Sequence, residues 1–486
     1  MVLARTVTHA LVGLEPRRVE VEAHLEKARP SFAIVGLADR ACQEAKERVR
    51  AGIASAELEF PIKRITVNLA PAGLRKEGSG FDLPIALAVL AASRQLPDDA
   101  LEGVGAFGEL ALDGRVRAVP GALIAAEGAR RAKLARLVCA AESGPEVALA
   151  GVEPIPVHHL ADAVAYLRGT HEPPEPLPLR EVPRAAEPDL GDVRGQERAR
   201  RALEIAAAGG HNVLLAGPPG TGKTMLARRL PGILPPLDDD EALEVTRIHS
   251  VAGVLAPGAG LIRVPPFRAP HHSASMPAIV GGGVAAPRPG EASLAHHGVL
   301  FLDEFPEFAR PVLESLRQPL EDGVVVISRV GGRAVFPARF QLVASMNLCP
   351  CGARGDPAAH CACPPDRVHR YREKLSRALL DRFDLALTVP RARGLELAGP
   401  PGEASEPVRA RVLAARARLS VGAPELERES SDLLTRAVER LPLSGRGRAR
   451  VVRVAATIAA LAGAERIAPE HLAEALSYRP PRELSE

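Results

Sequence analysis

The sequence predicts an α/β protein in three parts. An α+β N-terminal domain comes first, then a core built on a largely parallel sheet, then a helical C-terminal domain. Three observations predict this. A phosphate-binding loop, Gly217 to Thr224, sits between an apolar run and a helix-like run. Strand and helix patterns alternate around it. Proline-rich joints separate this stretch from what precedes and follows it.

A chain of 486 residues has room for roughly two to four domains with sizeable cores. Hydrophobic residues make up 46% and charged residues 25%, as in an ordinary globular protein. The net charge of +3 is small, so any nucleic-acid surface has to be local, in a groove or a ring pore. No run reaches the ~18 apolar residues of a membrane span. The start, "MVLARTVTHALVGLEPRR", meets charges too early for a signal peptide. Six cysteines in this length do not make a disulfide framework. The expected setting is cytoplasmic and reducing, with no membrane partner.

Residues 1–170 form the expected first domain, with strands such as "RITVNLA" and helices such as "FDLPIALAVLAAS". Residues 171–188 are too rich in proline for a helix or a central strand and are expected to be a linker. The core is expected over 189–393. Beyond a second joint, 394–486 shows helical periodicity, as in "PVRARVLAARARLS" and "GRARVVRVAATIAALAG".

Gly217, Pro218, Pro219, Gly220, Thr221, Gly222, Lys223 and Thr224 fit G-x-x-x-x-G-K-[ST], with "HNVLLA" before and "TMLARRL" after. The glycines let backbone N–H groups close around phosphate oxygens. Lys223 is expected to reach the β- and γ-phosphates of ATP, and the Thr224 hydroxyl to bind Mg²⁺. In "GVLFLDEF" an apolar strand delivers two carboxylates to its end. Asp303 is expected in the Mg²⁺ shell, and Glu304 is expected to polarise the attacking water. "FQLVASMN" ends in Asn347, either a contact to the γ-phosphate or water, or a strand-end turn residue. "ALLDRFDLALTV" carries Arg382, suited to charge on a transferring phosphoryl group, or else a solvated arginine or one paired locally with Asp381 or Asp384.

Cys349-x-Cys351 and Cys361-x-Cys363 follow Asn347 directly. Four thiolates suit a tetrahedral Zn²⁺ site. Reduced thiols or a redox-labile pair are the alternatives, and His360 could replace one ligand. Cys42 and Cys139 are isolated and are expected to be buried apolar residues. His271-His272 and His296-His297 lie in a Gly/Pro-rich stretch between the phosphate loop and "LFLDE".

The order of phosphate loop, L-D-E, strand ending in Asn, L-L-D-R-F-D and helical tail resembles the AAA+ ATPases. It is most similar to the branch with magnesium chelatase and the minichromosome maintenance helicases. That resemblance implies that Arg382 acts as an arginine finger on a neighbouring subunit of a homo-hexameric ring. It also implies that the C-terminal domain is a lid whose second sensor is Arg446, with Arg448 and Arg450 close by. The hairpin-like "VVVISRVGGRAVFPARF" makes Arg329 and Arg333 candidates for gripping DNA phosphates, or else belongs to a solvated hairpin.

Further words narrow the family. "SFAIVGLADRACQEAKERVRAGI", "PFRAPHHSASMPAIVGGG", "PRPGEASLAHHGVLFLDEFPEF" and "VFPARFQLVASMNLCPCG" together resemble the ComM/YifB family over nearly the whole chain. Leu348 stands where that family usually has proline, and Met276 where an acid is common. The family's first domain resembles the proteolytic domain of Lon. Here Gly80 falls at the nucleophile position, Ser79 is one residue away, and no lysine stands at the partner position. A serine without its base is not activated, so a non-proteolytic domain is expected.

The resemblance implies an ATP- and Mg²⁺-dependent motor on branched or single-stranded DNA, a helicase or branch-migration translocase in recombination or natural transformation. A chelatase-type ATPase and a protein remodeller are the rival readings. The chelatase ATPase subunit lacks the Lon-like domain and typically has N-P-E-E-G where this chain has "NLCPCG".

Overall fold

The computed structural model describes residues 2–172, 174–175, 177–180, 188–283, 287–329, 332–440 and 443–479. The expected linker falls largely outside these. Within it, Arg180 makes a bridge to the backbone around Ala259.

The N-terminal part is a seven-stranded mixed sheet in the order β3-β4-β2-β1-β5-β8-β9. Its strands are β1 (Val2–Val12), β2 (Glu15–Glu26), β3 (Ser31–Val35), β4 (Arg64–Ala70), β5 (Val104–Phe107), β8 (Arg136–Ala140) and β9 (Glu153–Val157). The short β6 (Glu109–Leu110) and β7 (Val116–Arg117) pair beside it. In β2 and β4 the residues alternate between buried and partly exposed, so a period of two decides which face enters the core. The helix Asp82–Ala92 lies against β1 and β2 and is buried almost all round, which is why its sequence is apolar without a polar stripe.

The central part is a five-stranded sheet, β11-β12-β15-β10-β16, parallel throughout. Its strands are β10 (Val213–Ala216), β11 (Phe267–Arg268), β12 (Val299–Leu302), β15 (Gln341–Met346) and β16 (Leu385–Thr388). Every residue of β10, β12 and β15 is buried. The continuous apolar runs of β10 and β12 belong to strands covered on both faces, and β15 buries Gln341 and Ser345 among its apolar residues. The helices Ser405–Val421 and Gly445–Ala462 share one core with the helix Glu197–Gly209, through Val412, Ala415, Ala455 and Ile458 against Leu203 and Ala206.

Two devices join the N-terminal sheet to the central one. The helix Asp239–Ala252 opens with a reciprocal cap between Asp238 and Glu241 and ends at Gly253 in the left-handed conformation. It docks through Ser250, whose hydroxyl donates to Glu146 at 2.5 Å, and through Arg247, 3.1 Å from Glu127. The antiparallel hairpin of β13 (Val324–Arg329) and β14 (Gly332–Pro337) is the second. Its Val325, Ile327, Ala334 and Phe336 pack with Leu14 and Ile124 of the N-terminal part. Val330, Gly331 and the side chain of Arg329 lie outside the described residues. Among the described residues, no helix is long and apolar enough to cross a membrane.

Candidate functional site

The phosphate loop leaves the C-terminal end of β10. Gly220 and Gly222 have φ of +75° and +89°, where a side chain is strained, and a side chain on Gly217 would run into the carbonyl of Val389. Lys223 begins the following helix and is buried. Its ammonium donates to the carbonyls of Gly217 and Pro218, both at 2.8 Å, and to Asn347 Oδ1 at 3.3 Å. Burial pulls its pKa down. Thr221 closes the turn by donating to the Pro218 carbonyl at 3.0 Å.

The neighbouring strands bring the rest. Because β12, β15 and β10 run parallel in register, their C-terminal ends gather Asp303, Asn347 and the loop on one edge of the sheet. Thr224 Oγ1 donates to Asp303 Oδ2 at 2.7 Å. The other Asp303 oxygen accepts from the Ser345 hydroxyl and, at 3.0 Å, from the Glu304 N–H. A hydroxyl and a carboxylate in direct contact beside a phosphate loop are hard oxygen donors of the kind that suits Mg²⁺. Glu304 is in the left-handed region at φ 51° with its side chain largely exposed. Its carboxylate lies 3.0 Å from His272 Nδ1.

Arg382 and Arg446 are not at this edge. Arg382 precedes β16, and Asn212, which precedes β10, donates to the Arg382 carbonyl at 2.9 Å. Arg382 therefore stands at the N-terminal edge of the same sheet. Its side chain is 6% exposed, and its guanidinium is held by Glu321 and, at 2.6 Å, by the Ala378 carbonyl. Arg446 is exposed and lies 3.8 Å from the same Glu321 oxygen. A cavity of about 550 Å³ opens here, lined by Arg382, Arg450, Arg453, Arg416, Glu321 and Asp384 among others. Arg450 is mostly buried, 3.6 Å from Asp384, and its Nη1 has no hydrogen-bond partner among the described residues. Arg448 is not part of this lining.

The four cysteines Cys349, Cys351, Cys361 and Cys363 come together with their sulfur atoms all within 4.8 Å of one another. Hydrogen bonding from the Ala353 N–H, together with the neighbouring thiols, holds Cys351 down to about 7. Cys42 and Cys139 are fully buried, and desolvation raises both thiol pKa values.

The histidine pairs do different things. The rings of His271 and His272 lie 4.1 Å apart beside Glu304. His296 Nε2 contacts Glu244 at 2.8 Å while its Nδ1 accepts from the Arg339 N–H at 2.9 Å. With Nδ1 accepting, the proton sits on Nε2, so His296 offers no lone pair to a metal even though Glu244, His296 and His297 converge.

Two site residues escaped the sequence reading. Ser345 was legible, since it lies two positions before Asn347, at the end of β15 where alternation carries both to one side. His272 left only the doubled histidine as a signal.

A phosphate loop on a parallel sheet, an acid pair at the end of the strand one place beyond its neighbour, and an arginine-lined opposite edge fit the magnesium-chelatase-like class of AAA+ protein. The family models agree. "Magnesium chelatase, subunit ChlI" matches residues 189–397, "Subunit ChlI of Mg-chelatase" matches 21–143, and its C-terminal model matches 402–479. The chain is 45% identical to YifB of Escherichia coli, over 99% of this chain and 97% of that protein. It is 44% identical to the competence protein ComM of Haemophilus influenzae, over 99% and 98%. A magnesium-chelatase 67 kDa subunit of Heliobacterium mobile is 28% identical over 40% of this chain and 35% of its own length. The chain belongs to the ComM/YifB family of magnesium-chelatase-like proteins.

Proposed function

We propose that this protein is an ATP- and Mg²⁺-dependent motor that acts on DNA as a homo-hexameric ring, driving branch migration or unwinding in recombination or natural transformation. One observation carries the reading: the candidate catalytic groups are split between two edges of one sheet. Lys223, Thr224, Asp303, Glu304 and Asn347 take ATP and Mg²⁺ at one edge. Arg382 and Arg446 stand at the other. At about 3.3 Å per residue, β10 alone separates the edges by roughly 10 Å. A second copy that places its arginine edge over the phosphate loop completes the site.

The DNA part of the reading is supported by the hairpin β13–β14, with Arg333 exposed beside its tip, and by the name of the ComM relative. The cysteine cluster is read as a structural Zn²⁺ site. The N-terminal sheet serves assembly or DNA contact. The test is ATPase rate with single-stranded, duplex and four-way-junction DNA over a salt series. Stimulation that weakens with salt supports a nucleic-acid motor. No response from an intact, Mg²⁺-loaded ring moves the reading to a chelatase-type or protein-remodelling ATPase.

A further inference from the structure

The cysteine loop does more than close on itself. Cys349 Sγ lies 3.4 Å from Cys351 Sγ and 3.6 Å from Cys361 Sγ, and Cys351 lies 3.7 Å from Cys361. A tetrahedral ion with Zn–S bonds of about 2.3 Å places its sulfurs about 3.8 Å apart, so the thiols already stand near the edges of that tetrahedron. The Arg354 N–H donates to Cys349 Sγ at 3.3 Å, an arrangement that stabilises thiolate charge. His360 is not in the cluster.

The loop touches the phosphate loop. Gly352, directly after Cys351, turns back with φ +79°, its N–H donating to the Cys349 carbonyl at 3.0 Å. It sits so close to Pro219 that an added Cβ would be 2.9 Å from the proline Cδ. On the other side, Cys349 follows Asn347 by two residues, and Asn347 Oδ1 accepts from Lys223. Two routes therefore run from the cysteines to the phosphate loop, one through Gly352 to Pro219 and one through Asn347 to Lys223.

We infer that the four cysteines bind one Zn²⁺ and that this ion clamps the Cys349–Cys351 turn against Pro219, so that zinc occupancy controls nucleotide affinity. The inference rests on the Zn²⁺ reading above and adds the coupling to it. The four thiols release their protons on binding and the ion joins the thiolates, with no change of oxidation state. Once bound, the ion fixes the turn at Cys349 and Cys351, which keeps Gly352 seated and the phosphate loop in its binding conformation. Because coupling between two sites is reciprocal, nucleotide must hold zinc as strongly as zinc holds nucleotide.

The experiment uses the full chain from zinc-supplemented growth. Zinc per chain is measured by elemental analysis, and ADP affinity by calorimetry before chelation, after it, and after Zn²⁺ is returned. One zinc per chain is expected, with ADP affinity falling about tenfold on removal and recovering on return. Release of zinc to a chromogenic chelator should slow when ADP is present. Gly352→Val should keep its zinc and still bind ADP about tenfold more weakly. Should that variant fail to fold, the reversible chelation of the wild type decides alone. Absence of zinc, with no thiolate charge-transfer band on adding Co²⁺, overturns the metal site itself. One zinc per chain with unchanged ADP affinity overturns the coupling and leaves the metal reading standing.

Discussion

Lys223 and Arg382 lie at opposite edges of one sheet. Lys223 follows β10, Arg382 precedes β16, and these strands pair in parallel with Val213 opposite Leu385 and Ala216 opposite Thr388. Neither cation can reach the other's edge without leaving the sheet. If the site is completed between copies, Arg382→Ala should cut steady-state ATP hydrolysis by at least ~10³-fold while nucleotide affinity stays near wild type. Mixing it with Glu304→Gln should restore turnover at composite sites. Failure of rescue at every mixing ratio would sink the shared site.

The Asp303 carboxylate is held from two sides, by Thr224 and by Ser345. Removing an outer partner of a metal-binding carboxylate typically costs tenfold or more in metal affinity. Ser345→Ala should therefore raise the Mg²⁺ concentration for half-maximal ATPase by about tenfold, with kcat at saturating Mg²⁺ little changed. A Mg²⁺ titration checks this. An unchanged midpoint would make Ser345 a packing residue only.

Glu304 is exposed and strained in its backbone, and His272 lies 3.0 Å from its carboxylate. A general base works only when held in line with its water. His272→Ala should lower kcat by about tenfold without changing ATP affinity, and His272→Asn should recover part of it. Pre-steady-state hydrolysis beside nucleotide-binding titrations separates the two effects. A change confined to affinity would reject a role at Glu304.

What the chain revealed beforehand was what neighbouring residues write together. The phosphate loop, the acid pair and the strand ends are contiguous words whose geometry follows from local rules. The parallel sheet is legible too, because strands buried on both faces, such as β10 and β12, read as unbroken apolar runs. Pairings between distant segments were not legible. The local alternative for Arg382 was open solvent or a pair with Asp381 or Asp384, and the fold supplies Glu321. Asp384 is turned toward His211, Arg450 and Arg453. No periodicity foretells that choice, since it depends on which helix arrives at the sheet edge. The same holds for Gly352 on Pro219, which only tertiary packing creates.

His9 is buried under the helix Ala122–Arg131, and desolvation, aided by Arg18, lowers its pKa to about 4. An unfolded histidine titrates near 6.5. Between these values the unfolded chain binds more protons, so the contribution is complete above pH ~6.5 and is lost as pH falls toward ~4. Its size is about 3 kcal/mol at most. Thermal melts from pH 4 to 7 should show the N-terminal part losing stability on acidification. His9→Phe should flatten that slope, and an unaltered slope would assign the acid sensitivity elsewhere.

Arg333 is exposed on β14, while the base of the same hairpin is buried against Leu14 and Ile124. Anchoring the base fixes β14, so a cation on that strand can hold a phosphate without the strand first having to order. One phosphate contact contributes about 0.9 to the slope of log K against log salt for duplex DNA. Arg333→Ala should weaken DNA binding alike for all sequences and reduce the salt slope by about one unit per subunit engaged. DNA-stimulated ATPase should fall in parallel, and the DNA-free rate should not. The base of the hairpin also touches the N-terminal sheet, so Phe336→Ala gives the contrasting result, with loss of stability and no selective loss of the salt-dependent term. If Arg333→Ala left both affinity and slope unchanged, the hairpin would be a strut between the two sheets, and the proposed DNA path would not run over it.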